Sequence, residues 1–365
     1  MTPSLSHSCS APSRRMGILT FHRTHNFGAV LQAYALQHLL TQENPGVEVT
    51  ILDVVPPFMD IPDAPWYKFR KRAQQEAFRQ FREGWLRLSD RRSASVAELC
   101  QGLDTVVVGS DQVWNPDLTR EAWKSYFLEG VPETVRACSY AASFGEGAQR
   151  NFAPEIQTAM ERLLRCFSRI SVREESGREI CRRLGREDAV RVLDPVLVAP
   201  PSLYQPLLAE AKPAKPAITA VLLDETPDHR RLLRHFHKVS RQPVQIIAVR
   251  QRRLPTPGIH RPFATPIPDY LAALQKAPLV VTDSFHAVMF SLVFQRPFLV
   301  TPSTRNHRFD RIADVLSLLG LQDRVVRPGE WEKASHCLGT PVEYAVVQER
   351  LEPLRRQSLE YLRTL

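Results

Sequence analysis

The chain has 365 residues, enough for two domains at ~150 residues each, with a core in both. Hydrophobic residues make up 43% and charged residues 24%, which excludes wholesale disorder, and no apolar run approaches the ~18–20 residues of a membrane span. The net charge of +9, from 48 Lys and Arg against 39 Asp and Glu, favours acidic partners without choosing among phosphorylated small molecules, anionic lipid and nucleic acid.

The first fifteen residues are rich in Ser and Pro and lack the apolar segment of a signal peptide. They read as a disordered leader, with Met16 at the start of the first strand-like run as an alternative start. β-branched runs then alternate with amphipathic stretches. The runs are Met16–Thr20, Val47–Val55, Thr105–Gly109, Ala137–Ser143, Ile170–Arg173 and Val190–Leu193. A second set is Ala217–Leu223, Val244–Val249, Leu279–Thr282 and Pro297–Val300. Strands that alternate with helices imply parallel sheets, and the all-apolar Val106-Val107-Val108 and Leu279-Val280-Val281 fit strands buried on both faces. Six prolines crowd Asp194–Pro216, which reads as a linker. The expectation is α/β: an N-terminal Rossmann-like domain over 16–200, a C-terminal one over 201–340, and a helix over 341–365 that can pack back on the first domain.

The six cysteines (Cys9, Cys100, Cys138, Cys166, Cys181 and Cys337) include no Cys-x-x-Cys pair, which argues against a zinc ribbon or redox pair and fits a reducing, cytoplasmic compartment. Gly-x-Gly-x-x-Gly and P-loop patterns are absent, and His235-x-His237 lies on a helix at a spacing that puts the rings on different faces. In residues 66–92, Phe78, Phe81 and Trp85 form one helical stripe among arginines. Such a helix either packs on its own domain or touches a membrane surface peripherally, at the inner face of the membrane.

In open parallel sheets, ligands bind beyond the carboxyl ends of the strands, so the strand-to-helix junctions are the candidate sites. After the first run, Asn26 can cap the next helix and Gly28 allows a ligand close to its N-terminus, beside His22, Arg23 and His25. After Val108 come Ser110, Asp111, Trp114 and Asn115, polar groups and a ring suited to a sugar, or else a turn with Trp114 in the core. Arg173 ends a strand and can clamp a carboxylate or phosphate, or pair with Glu174 or Glu175. After Thr282, Asp283 or Ser284 can cap a helix whose first turn holds His286, a candidate general acid or base, or a packing residue. An anion nearby would have to offset the positive end of that helix dipole if the imidazole is to act as an acid. Arg305, His307, Arg308 and Arg311 follow the last run as a basic cluster, with Arg305 in the loop and Arg308 and Arg311 opening a helix.

Five stretches together resemble the polysaccharide pyruvyl transferase family. They are Thr24-His25-Asn26-Phe27-Gly28-Ala29 with Leu31–Leu36, Gly109–Asn115, Ser139–Gly145, Ser171-Val172-Arg173-Glu174, and Thr282-Asp283-Ser284-Phe285-His286-Ala287. The resemblance implies two Rossmann-like domains facing across a cleft, as in GT-B enzymes. It implies transfer of a pyruvyl group from phosphoenolpyruvate to two hydroxyls of a sugar in a glycan or its precursor, which can be lipid-linked, giving a cyclic ketal and phosphate. No metal, cofactor or nucleic acid is implied. His286 resembles the family's catalytic histidine. Arg173, Ser284, Phe285, Arg305 and Arg308 fall on the donor side, and Asn26, Gly28, Ser110, Asp111, Trp114, Asn115 and Asp283 on the acceptor or anion side. Many members carry an arginine where Ser284 stands, so Arg305 or Arg308 would have to complete the clamp. His286→Ala and Arg173→Ala should each abolish turnover and leave the chain folded. Two other readings stay open: a GT-B glycosyltransferase using a nucleotide sugar, and a non-enzymatic binder of anionic polymer or lipid.

Overall fold

The computed structural model describes residues 14–55, 64–65, 67–145, 147, 150–248, 257–302 and 309–365. Two all-parallel sheets organise the chain. The first contains β1 (Arg14–Leu19), β2 (Val47–Val54), β3 (Leu88–Ser93), β4 (Thr105–Asp111), β5 (Arg136–Ala142), β6 (Phe167–Arg169), β7 (Ser171–Val172) and β8 (Val190–Arg191). Its order is β3-β2-β1-β4-β5-β7-β8, with β6 paired to β5. The second contains β9 (Ile218–Leu222), β10 (Val244–Ala248), β11 (Ile259–His260), β12 (Val280–Thr282) and β13 (Phe298–Val300), in the order β11-β10-β9-β12-β13. In both sheets the strand order reverses beside the first strand, between β1 and β4 and between β9 and β12. Crevices open at such reversals.

Every residue of β4 and β12 is buried, as their two-faced apolar runs require. β3 was not among the expected strands. Its sequence Leu-Ser-Asp-Arg-Arg-Ser carries no apolar pattern because it is a mostly exposed edge strand. β1 begins before Met16: Arg14 and Arg15 pair with Val47 and Glu48, and the Arg15 N–H donates to Asp104 at 2.6 Å. The leader therefore does not extend to residue 15, and residues 1–13 lie outside the described residues.

Two helices hold the lobes together. Phe27–Glu43 is buried along most of its circumference, and Phe285–Val293 is buried at every position. Helices that are apolar all round belong inside a core. One continuous apolar cluster joins them to both lobes, with Phe27 stacked on Tyr270 at 4.2 Å and Tyr204 edge-on to Phe290 at 5.2 Å. The C-terminal helix Tyr344–Arg363 lies against the first sheet: Ser358 Oγ accepts from the Leu193 N–H at 3.0 Å, and Tyr361 Oη donates to the Ser139 carbonyl at 3.0 Å.

Two readings can be refined. The proline-rich stretch runs from the last strand of the first sheet to the first strand of the second, and its first part is buried. Residues 194–199 are buried, and a short helix, Pro195–Val198, is wedged beside Phe27–Glu43 and Phe285–Val293. Of the two readings of the Phe78–Phe81–Trp85 stripe, packing on its own domain holds: Phe78 and Phe81 are buried, and Trp85 lies edge-on to Tyr34 at 6.2 Å. No helix among the described residues is long and apolar enough to cross a membrane.

Candidate active site

The N-termini of the two buried helices meet. Asn26 caps the first: its amide oxygen accepts from the Gly28 N–H at 2.9 Å and the Ala29 N–H at 3.4 Å. Gly28 then packs on the His286 ring. A Cβ at position 28 would sit 2.6 Å from His286 Cβ and closer still to Nδ1 and Cγ. The glycine is needed for this close approach between the lobes. Gly28→Ala is expected to cost about 1–3 kcal/mol by overpacking. Urea denaturation measures this, and the double variant Gly28→Ala/His286→Ala should recover most of the loss.

His286 is 6% exposed, and its Nε2 lies 3.5 Å from Asp194 Oδ2, a charge contact longer than a hydrogen bond. The same oxygen accepts from Arg173 Nη1 at 3.0 Å and from Ser110 Oγ at 3.4 Å. Asp194 Oδ1 caps the Pro195–Val198 helix through the Val196 N–H at 3.0 Å. Burial alone would raise the Asp194 carboxyl, but the charges of His286 and Arg173 outweigh it and hold the group below the usual carboxylate range. Asp194 is thus the anion that offsets the helix dipole at His286. It was missed in the sequence because Pro195 and its neighbours read as a linker. Asp before Pro, directly after an apolar run, is nevertheless a strand-to-helix junction like the others.

Arg173 is 3% exposed and sits among three carboxylates. Its Nε donates to Glu174 Oε1 at 2.8 Å, and its Nη2 lies 3.6 Å from Asp111 Oδ1. Burial lowers its pKa, but Glu174, Asp194 and Asp111 together raise it above the ordinary arginine value. Arg173 is therefore not the free cation that a ligand clamp had called for. Two donors nevertheless remain: Arg173 Nη2 and His286 Nε2 are both buried and donate no hydrogen bond among the described residues. Two guanidinium groups approach the Phe285 ring, with Arg173 Cζ 4.4 Å and Arg311 Cζ 5.7 Å from its centroid. Arg311 also meets the first lobe. The Gln112 amide lies 3.1 Å from both of its terminal nitrogens and accepts from them when its oxygen is turned that way.

The structure therefore brings Gly28, Ser110, Asp111, Arg173, Phe285 and His286 to one place, and adds Asp194, Glu174 and Arg311. Other candidates fall away. Trp114 is wholly buried against Phe127, Phe144 and Phe167, and its indole N–H donates to the Tyr126 carbonyl at 3.1 Å, so it is a core residue and not a sugar platform. Asn115 caps the Pro116–Thr119 helix and accepts from Arg150, so its amide is spent on structure. Asp283 caps nothing. Its carboxylate spans the β9–β12 reversal to accept from the Leu223 and Asp224 N–H groups at 2.6 and 3.0 Å, and burial pushes its pKa up. The Ser284 side chain makes no capping bond, and its N–H donates to Thr282 Oγ1 at 2.9 Å. Arg305, His307 and Arg308 lie outside the described residues. Among the described residues no group of three or more His, Cys, Asp or Glu side chains is placed to hold a metal ion.

A second ionic cluster lies at the ends of β1 and β2. Asp53 takes His22 Nε2 at 2.9 Å and both Arg23 Nε and Nη2 at 2.6 Å. Burial raises the Asp53 carboxyl, but His22 and Arg23 lower it further, to a value below the usual range. Asp53 and Asp194 therefore both have folded pKa values below the unfolded ~3.9. Their stabilisation is present above that value and is lost as pH falls through and below it. Urea midpoints should hold steady from neutral pH down to about 5 and drop between about pH 4 and 2. The drop should be smaller in Asp53→Asn.

Comparisons with known proteins bear on the fold and the family. A family model described as "Polysaccharide pyruvyl transferase" matches residues 26–305. No curated protein matches the chain. Among solved structures, UDP-N-acetylglucosamine 2-epimerase from Rickettsia bellii is similar at 11% identity, covering 95% of this chain and 97% of its own, with a TM-score of 0.53. Arabidopsis thaliana UGT89C1 complexed with UDP is similar at 11% identity over 96% and 99%, with a TM-score of 0.52. UDP-GlcNAc 2-epimerase from Neisseria meningitidis bound to UDP-GlcNAc is similar at 10% identity over 96% and 99%, with a TM-score of 0.51. These likenesses show the fold alone: two parallel α/β lobes of the GT-B type.

Proposed function

Since the chain belongs to the polysaccharide pyruvyl transferase family, we propose that it moves a pyruvyl group from phosphoenolpyruvate to two hydroxyls of a sugar, forming a cyclic ketal and releasing phosphate. The observation that carries this reading is a pair of buried nitrogens, Arg173 Nη2 and His286 Nε2, that make no hydrogen bond among the described residues and lie beside the Asp111 and Asp194 carboxylates. Buried donors without acceptors are costly, and an anionic substrate supplies acceptors.

In this proposal His286 gives a proton to the methylene carbon of phosphoenolpyruvate, and the enol carbon becomes an oxocarbenium-like centre. One sugar hydroxyl adds to that carbon. The carbon–oxygen bond to phosphate then breaks, and the second hydroxyl closes the ketal. Of the two hydroxyl protons, one replaces the proton His286 gave to the methyl group and the other leaves with phosphate. Asp194, 3.5 Å from His286 Nε2, places a negative charge beside the ring that gives the proton. Ser284 leaves a gap in the donor clamp that the family resemblance implies. Arg311, whose guanidinium lies 5.7 Å from the Phe285 ring centroid, fills that role in our reading, in place of Arg305 or Arg308. The sugar lies on the first-lobe side, near Ser110 and Asp111. The free cysteines, with no disulfide among the described residues, suit a cytoplasmic setting.

The test is an assay of phosphate release from phosphoenolpyruvate against a panel of sugar acceptors, with the acceptor mass followed in parallel. Release should require an acceptor, and the acceptor should gain one pyruvyl ketal. Release of a nucleoside diphosphate from a nucleotide sugar, with phosphoenolpyruvate inert, would overturn the reading.

A further inference from the structure

Residues 67–72 read Tyr-Lys-Phe-Arg-Lys-Arg: two aromatics, four cations and no acid. Tyr67 is 60% exposed and Phe69 61%, and Phe263 of the second lobe is 53% exposed. Among the described residues, these three are the only aromatic rings so exposed. The segment that carries Tyr67 and Phe69 meets the segment that carries Phe263. Arg70 Cζ lies 5.3 Å from the Phe263 centroid, and the Gln74 amide makes two 2.8 Å hydrogen bonds with the backbone of Thr265. The start of the Phe69–Trp85 helix is thereby fixed against the second lobe. The buried stripe of that helix lies further along, at Phe78, Phe81 and Trp85, so the exposed rings are not part of the core packing.

A single exposed ring is ordinary on a protein surface, but three together among cations are not. Aromatic rings settle at the headgroup level of a bilayer, and Lys and Arg are drawn to anionic lipid. Single-stranded nucleic acid also seeks rings and cations, but it needs open ring faces on which to stack bases. Here cations already lie over two of the rings, Arg70 over Phe263 and Lys68 over Tyr67 at 5.8 Å. We propose that Tyr67, Phe69 and Phe263, with Lys68, Arg70, Lys71 and Arg72, form a docking surface for an anionic lipid bilayer. This does not depend on the reaction proposed above.

The experiment is flotation of the full chain with vesicles of phosphatidylcholine alone and of phosphatidylcholine with phosphatidylserine, over a salt series. The chain should float with the anionic vesicles and not the neutral ones, and less so as salt rises. Tyr67→Ser/Phe69→Ser keeps the charge and should weaken vesicle binding roughly tenfold or more. Lys68→Gln/Lys71→Gln should weaken it and flatten the salt dependence. All these side chains are exposed, so thermal melting should be unchanged, and it serves as the control for folding. The proposal is overturned by wild-type chain that does not float, by an aromatic variant that binds as tightly as wild type, or by preferential binding to single-stranded nucleic acid or polyglutamate. Phosphate release is read separately, so failure of the proposed reaction and failure of docking leave different signatures.

Discussion

His286→Gln is expected to lower phosphate release from phosphoenolpyruvate by about 10²–10⁴-fold, the range that a lost general acid produces. Gln keeps a polar side chain over Gly28 and can still donate toward Asp194, so the packing at the helix N-terminus survives. It cannot deliver a proton. The rate should therefore fall with little change in donor binding, and the melting temperature should stay near that of wild type. A rate within threefold of wild type would remove His286 from the chemistry. Asp194→Asn is the companion measurement. It leaves the ring in place and removes the negative charge 3.5 Å from Nε2. The alkaline limb of the pH–rate profile should shift, because a proton donor must be in its protonated form and the substitution removes a charge beside it. A role confined to packing would leave the profile unmoved.

The second large effect is on stability. Arg173→Met is expected to destabilise the chain by about 3–5 kcal/mol, because it strips the cation from a buried set of three carboxylates. Asp111, Glu174 and Asp194 would then repel one another in a site from which water is largely excluded. Without the guanidinium, burial and mutual repulsion would oppose the charged forms of this set. The variant should therefore be weakest at neutral pH and regain stability as pH falls and these carboxylates take up protons. Wild type should show the opposite trend in acid. Urea denaturation at neutral pH and at about pH 5 separates the two cases. Arg173→Lys should fall between, since one ammonium cannot serve Glu174 and Asp194 with the geometry of a guanidinium. The expectation that removing Arg173 leaves the chain folded does not survive its surroundings: it is a structural pivot before it is a ligand for anything.

Much of the architecture was legible because buried parallel strands have to be apolar on both faces. Runs such as Val106–Val108 and Leu279–Val281 can hardly be anything else. The edge strand Leu88–Ser93 was not legible, because one side of it faces solvent and its side chains need not be apolar. The site was legible as a set of strand ends, since chemistry collects there in open sheets. Which side chains turn inward was not. Trp114 and Ser110 are near neighbours in sequence, yet one fills the core and the other bonds toward Asp194, and no local pattern distinguishes them. Asp194 was hidden by its own context, a proline-dense stretch that looks like a tether and is in fact packed between the lobes. Arg311 was noted only as one of four cations. Its place beside Phe285 depends on how the second lobe meets the first, which is a tertiary fact.

The contact between Gly28 and His286 has a kinetic consequence. With no space for even a methyl group between the lobes at that point, and with His286, Arg173 and Asp194 each at 6% exposure or less, the conformation described here is a shut one. In the proposed reaction, phosphoenolpyruvate would enter and phosphate would leave only when the two helix N-termini part. Each turnover then includes a breathing motion of the lobes, and its frequency sets a ceiling on the rate whatever the speed of the proton transfer. Turnover that slows in proportion to added viscogen would mark that motion as the slow step.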